Sequence, residues 1–326
     1  GAGEAAAQAP SVLVEARDID ADLQDEIVIR TPSLGLIVRP HEGGALQELA
    51  YRPKTFTLSN VLSRWPEGYH DKLRQAGKDD GGGAPRSIHD VVRVKEPGLE
   101  KHLVYDRHTR YPLIDHVLPC DAQLDAFARG EATGISDFPT GRWKVAQAGP
   151  GEALRLVREG WIDWRRARAE KRFLVEESAF EVRWRFAIEG APAEVIFAPE
   201  LPLTLLDGHS PERRYEIPGR DLDPAECEMA SRGAWHDVPS LSLVNEANGF
   251  RVDLSFFQGG APLHPTVWRF PLETVSMSEG GFERIYQGSV IAPLFRLRLG
   301  DGSGAPVEPV EVGLRIAIRD LAQRQS

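Results

Sequence analysis

Residues 180–189, FEVRWRFAIE, alternate without a break: Phe180, Val182, Trp184, Phe186 and Ile188 fill one set of positions, and Glu181, Arg183, Arg185 and Glu189 the other. A period of two puts successive side chains on opposite faces of a strand, so this run is a half-buried strand that places Trp184 in a core. The same period recurs at residues 154–161, 250–256, 294–299 and 312–318, each bounded by Gly or Pro. One-sided alternation belongs to antiparallel sheets with one face on the core; parallel sheets covered by helices on both faces give continuous apolar strands instead. Helical patterns are short, at residues 71–75, 98–106 and 121–129, the last with Asp121 placed to cap it. With 31 Gly and 24 Pro as turn punctuation, the predicted fold is all-β, a large antiparallel β-sandwich with a few short helices.

Two stretches interrupt that rhythm. GAGEAAAQAP opens the chain with small residues, and residues 1–17 are read as a flexible leader or linker ahead of a single sandwich domain at 18–326. A loop-rich insertion at about 59–116 carries five of the nine His residues and a tip, GKDDGGGAPR at 77–86. SEGG at 278–281 and GDGSGAPVEP at 300–309 read as turns between strands.

Charge and cysteine content narrow the function. With 49 acidic against 39 basic side chains the net charge is −10, which disfavours phosphate backbones and anionic lipid as partners; neither nucleic acid nor membrane is expected. No apolar run reaches the roughly 20 residues of a membrane span. Cys120 and Cys227 allow one bridge at most, so a soluble, cytoplasmic protein resting on its core is expected.

Motifs for chemistry are sparse. HEGG at 41–44 begins like a zinc-protease helix, but the second His belongs at position 45, where Ala45 stands; a strand end at Pro40 and a glycine turn explain it better. His89, Asp90, His102, Asp106, His108, Asp115 and His116 offer material for a metal site or an acid/base pair at no diagnostic spacing, and Tyr105, Arg107 and Arg110 can instead hold that loop together by ion pairs. There is no nucleophile elbow, phosphate loop or dinucleotide fingerprint. Sugar recognition needs aromatic faces beside planar polar groups, which draws attention to RWPEGYH at 64–70 and WIDWRR at 161–166. The carbohydrate-binding candidates are Trp65, Tyr69, His70, His89, Tyr105 and Asp106; no catalytic residue, metal ligand or cofactor is assigned.

Several ordered blocks resemble one family. VWRFPLETVSMSEGGFERIYQGSVIAPLF at 267–295 resembles the closing motif of the C-terminal domain of glycoside hydrolase family 57, the α-amylase and 4-α-glucanotransferase group. NVLSRWPEGYH at 60–70, SIHD at 87–90, KEPGLEKHLVYDRHTRYPLIDH at 95–116 and VIFAPELPLTLL at 195–206 resemble that domain's other motifs in order, and residues 18–49 its first strands. The resemblance implies a supersandwich of the galactose mutarotase-like kind. It also implies a catalytic Glu and Asp on an N-terminal barrel, for which this sequence offers no matching position. The expected role is that of a non-catalytic domain that supports such a barrel, in cis or in trans, and binds α-glucan or maltooligosaccharide. Two alternatives stand beside it: a mutarotase-like epimerase with a Glu and His pair on the sandwich face, and a purely structural interdomain module.

Overall fold

The alternating runs are strands in a computed structural model of the chain, which describes residues 12–76, 95–149, 153–278, 280–301 and 308–321. In chain order the strands are β1 (Leu13–Arg17), β2 (Glu26–Arg30), β3 (Leu34–Arg39), β4 (Ala45–Tyr51), β5 (Phe56–Thr57), β6 (Ile114–Leu118), β7 (Lys144–Ala148), β8 (Leu154–Ile162), β9 (Arg165–Val175), β10 (Ala179–Ile188), β11 (Ala193–Leu203), β12 (Arg213–Glu216), β13 (Gly233–Trp235), β14 (Ser240–Asn245), β15 (Phe250–Gln258), β16 (Ala261–Pro262), β17 (Thr266–Ser278), β18 (Gly281–Leu299) and β19 (Val310–Asp320). Among the described residues the α-helices are short, α1 (His70–Ala76), α2 (Leu124–Ala128) and α3 (Pro224–Cys227).

The fold is an all-β antiparallel sandwich. One layer is a nine-stranded sheet in the order β12-β14-β15-β19-β10-β9-β8-β7, with β16 added beside β15. The other layer consists of two five-stranded sheets, β1-β2-β3-β4-β5 and β13-β17-β18-β11-β6. Apolar positions from all three sheets meet in one core. Trp184 and Phe186 of β10 pack on Phe197 of β11 with ring centroids 5.2 and 4.8 Å apart, and Phe250 of β15 meets Tyr51 and Phe56 at 5.5 and 5.0 Å.

The alternating run at 180–189 is β10, and the run at 294–299 is the end of a 19-residue strand. The helix expected at 71–75 is α1, whereas that expected at 121–129 is only the five-residue α2. Its N-cap is Gln123 with no side-chain bond, so Asp121 caps nothing; residues 98–106 supply only a 3-10 turn, Leu99–His102. Within the expected leader, Leu13–Arg17 pairs along its whole length with β2 as an edge strand, mostly exposed. Between β5 and β6 no strand forms among the described residues; the tip expected at 77–86 and His89 lie outside them. Both cysteines are free thiols. Among the described residues no helix is long and apolar enough to cross a membrane.

Candidate functional site

The sheet containing β11 and β18 is buried on both faces. Val195 and Phe197 of β11 point into the main core, while Ile196 and Ala198 point outward into a second cluster with Phe127, Trp268 and Phe270. Glu200 continues the outward set and is fully buried. A carboxylate there must be paired, since an unpaired buried charge is among the costliest groups in a fold.

Its partners come from the insertion and from β6. Arg110 donates through Nη1 to Oε1, His116 Nε2 lies 2.9 Å from Oε2, and His108 Nε2 lies 3.8 Å from the same oxygen. Arg110 also reaches Asp106 at 2.8 Å, and Asp106 in turn accepts from Arg64 Nη2 at 2.6 Å and from the Arg64 backbone N–H at 2.7 Å. Burial alone would raise the Glu200 carboxyl; Arg110, His108 and His116 overcome that and hold it well below its ordinary range. Asp106 is lowered against the same opposition by Arg64 and Arg110. Burial pushes the His116 imidazole down. The ligand atoms of His108, His116 and Glu200 lie within 4.8 Å of one another, so geometry alone admits an ion; both Glu200 oxygens are already bonded, to Arg110 and His116, while His108 Nε2 makes no hydrogen bond. The network fastens the insertion to the sheet, and Glu200, with no exposure, does not reach a substrate.

Above this anchor lies a cavity of about 250 Å³ lined by Trp65, Tyr69, His70, Tyr105, Glu273 and Gln287, among others. Trp65 is 47% exposed at its mouth. His70 accepts from the Glu67 N–H at Nδ1, 3.1 Å, and donates from Nε2 to the Val275 carbonyl, 3.0 Å, which fixes its tautomer and ring plane. The Tyr105 hydroxyl lies 3.1 Å from the same Nδ1 and accepts from Arg74 at 2.7 Å. Burial raises the Tyr105 phenol, so it stays a donor. Gln287 reaches the cavity because β17 and β18 shift register at Leu272/Glu273, where Leu272 pairs with Gly288 and Glu273 with Tyr286, leaving Gln287 as the bulged residue. Its amide donates to Thr274 Oγ1 at 2.8 Å. A second depression of about 340 Å³, lined by Lys101, Arg129, Arg232 and Phe270, adjoins the first across Arg64, His102, Val104 and Glu273.

The structure therefore brings four of the expected sugar-binding residues, Trp65, Tyr69, His70 and Tyr105, to one cavity. Asp106 is not in its lining but ion-paired beneath it, and His89 lies outside the described residues. His102 is exposed at the rim, and Asp115 faces the opposite side of β6, against Lys171 and Trp184. HEGG forms the expected glycine turn, with Gly43 at φ 67° and Gly44 at φ 57°. Sequence reading missed Glu200, Glu273 and Gln287. A signal existed for the first, since Glu200 is the lone charge in VIFAPELPLTLL; none existed for Gln287, whose position depends on a register shift.

Comparison with known proteins places the fold in a family. Residues 18–305 match the family described as alpha-amylase/4-alpha-glucanotransferase, C-terminal. The chain is 29% identical over 306 residues to a 4-alpha-glucanotransferase of Thermococcus kodakarensis, covering 94% of this chain and 40% of that protein. The crystal structure of 4-alpha-glucanotransferase from Thermococcus litoralis superposes with a TM-score of 0.69 at 21% identity, over 94% of this chain and 39% of that one. A galactose mutarotase-like protein from Clostridium acetobutylicum shares the fold at a TM-score of 0.53 and 11% identity, over 95% and 99% of the two chains. The chain thus spans about 40% of the length of the first curated relatives it matches. With most of its length inside the family match and its sandwich shared with a solved member of the group, this chain belongs to the alpha-amylase/4-alpha-glucanotransferase C-terminal domain family.

Proposed function

We propose that this sandwich supports the catalytic barrel of an enzyme of the α-amylase or 4-α-glucanotransferase type, in cis or in trans, and binds α-glucan through the cavity under Trp65. The observation that carries the reading is the convergence of Trp65, Tyr69, His70 and Tyr105 with Gln287 and Glu273 on one concave surface. Aromatic faces stack on pyranose rings while amide and carboxylate groups bind hydroxyls, which is the chemistry a glucan needs. The two free thiols support a reducing, cytoplasmic setting. The mutarotase-like alternative shares the fold alone, and one Glu and His pair of this sandwich, Glu200 and His116, is held in a buried network.

Calorimetric titration of maltoheptaose into the purified chain tests the proposal. Saturable binding that weakens in both Trp65→Ala and Tyr69→Ala supports it. No heat at millimolar sugar leaves an interdomain scaffold as the role, and mutarotation of glucose or galactose by the chain would restore the epimerase reading.

A further inference from the structure

The turn at HEGG, which lacks the second His of a zinc helix, meets a different partner in the fold. Because β2 and β3 are antiparallel, with Ile27 opposite Val38, the start of β2 lies beside the end of β3 and the turn after it. His41 there faces Asp22 and Glu26: its Nε2 is 3.6 Å from Asp22 Oδ2 and 3.6 Å from Glu26 Oε1, and the three ligand atoms lie within 4.8 Å of one another.

Two of these groups are buried and short of partners. Glu26 is fully buried; its Oε2 accepts from the Ile19 N–H at 2.9 Å, but Oε1 makes no hydrogen bond. The His41 side chain is 9% exposed and its Nε2 makes none either. Buried polar atoms are nearly always satisfied, so two in one spot aimed at each other ask for a shared partner. Charge points the same way. Asp18, Asp20 and Asp22 form a second trio within 4.8 Å that shares Asp22. Four carboxylates surround Arg39, which lies 2.8 Å from Asp20, 3.4 Å from Asp22, 3.7 Å from Glu26 and 3.1 Å from Glu42. One guanidinium leaves that group strongly negative, and a divalent cation would offset it.

We propose that Asp22, Glu26 and His41 form a divalent-metal site of the one-imidazole, two-carboxylate kind, suited to Zn(II). The two separations of 3.6 Å from His41 need to close by only a few tenths of an ångström for a tetrahedral ion with bonds of about 2.0–2.1 Å, and the two carboxylate oxygens lie within 4.8 Å of each other. Asp20 or water completes the set. The ion ties the 18–26 loop to the β3–β4 turn, and the ligands come from two segments rather than from one helix.

The test is Zn(II) titration of tag-free, chelator-treated chain by calorimetry, with Co(II) substitution followed by visible absorption and with thermal melts run with and without Zn(II). The expected result is one site per chain, a melting temperature raised by Zn(II), and a four-coordinate Co(II) band. Asp22→Asn, at an exposed position, and His41→Ala each weaken binding by more than the roughly 10–100-fold that loss of an outer-shell partner costs. His116→Ala, in the other His and Glu trio, retains it. No binding by the parent chain, binding that survives both Asp22→Asn and His41→Ala, or binding abolished by His116→Ala would each overturn the proposal.

Discussion

Lys171 Nζ lies 3.0 Å from Asp115 Oδ2, with both side chains fully buried between the layers of the sandwich. Lys171 also donates to the Leu113 carbonyl at 2.6 Å, and Asp115 accepts from Trp184 Nε1 at 2.9 Å. Breaking a buried pair by removing one partner leaves an uncompensated charge and costs about 3–5 kcal/mol. Lys171→Met should therefore lower unfolding stability by that amount in urea titration. Asp115→Asn added to Lys171→Met should recover part of it, because no net charge then stays buried and the Trp184 bond survives. A double variant weaker than the single would show that Asp115 matters for something other than its charge.

Asp115 should also set a pH dependence. Burial outweighs the attraction of Lys171 and lifts its carboxyl from 3.8 to about 6. A raised folded-state pKa contributes stability that is fully present below the unfolded value, near pH 4, and is lost as pH rises through about 6. The difference in melting temperature between the parent chain and Asp115→Asn should accordingly shrink from pH 4 to pH 7; a difference that grows would refute the assignment.

On the other face of the same sheet the sign reverses. Glu200 is held well below its ordinary 4.5, so its contribution is present above that pH and is lost as pH falls below it. The parent chain should lose its stability advantage over Glu200→Gln on acidification below about pH 4.5. Melts between pH 3 and pH 7 read this directly, and a constant gap would sink it.

Gly288 sits beside the bulge that presents Gln287. A Cβ there would meet Val61 Cγ2 at 2.8 Å and the Leu203 carbonyl at 2.9 Å, closer than real Cβ contacts allow. Gly288→Ala should cost about 1–3 kcal/mol by overpacking and reduce maltoheptaose affinity by displacing Gln287. Loss of stability with unchanged affinity would remove Gln287 from the binding surface.

The sequence by itself determined five of the strands, the β class and the core position of Trp184, because alternation and turn chemistry are local properties that each segment carries alone. Trp65 and Tyr69 stood out as candidates because they stand beside Gly and Pro in a segment without sheet rhythm. Only the tertiary structure decided which polar residues meet. Asp115 and His116 are neighbours in sequence, yet the pleat sends one to Lys171 and the other to Glu200. Glu200 finds Arg110 ninety residues away, Gln287 depends on a register shift, and His41 finds Asp22 and Glu26 across two antiparallel strands. Those partnerships rest on strand pairing and layer packing, long-range choices that no spacing along the chain encodes.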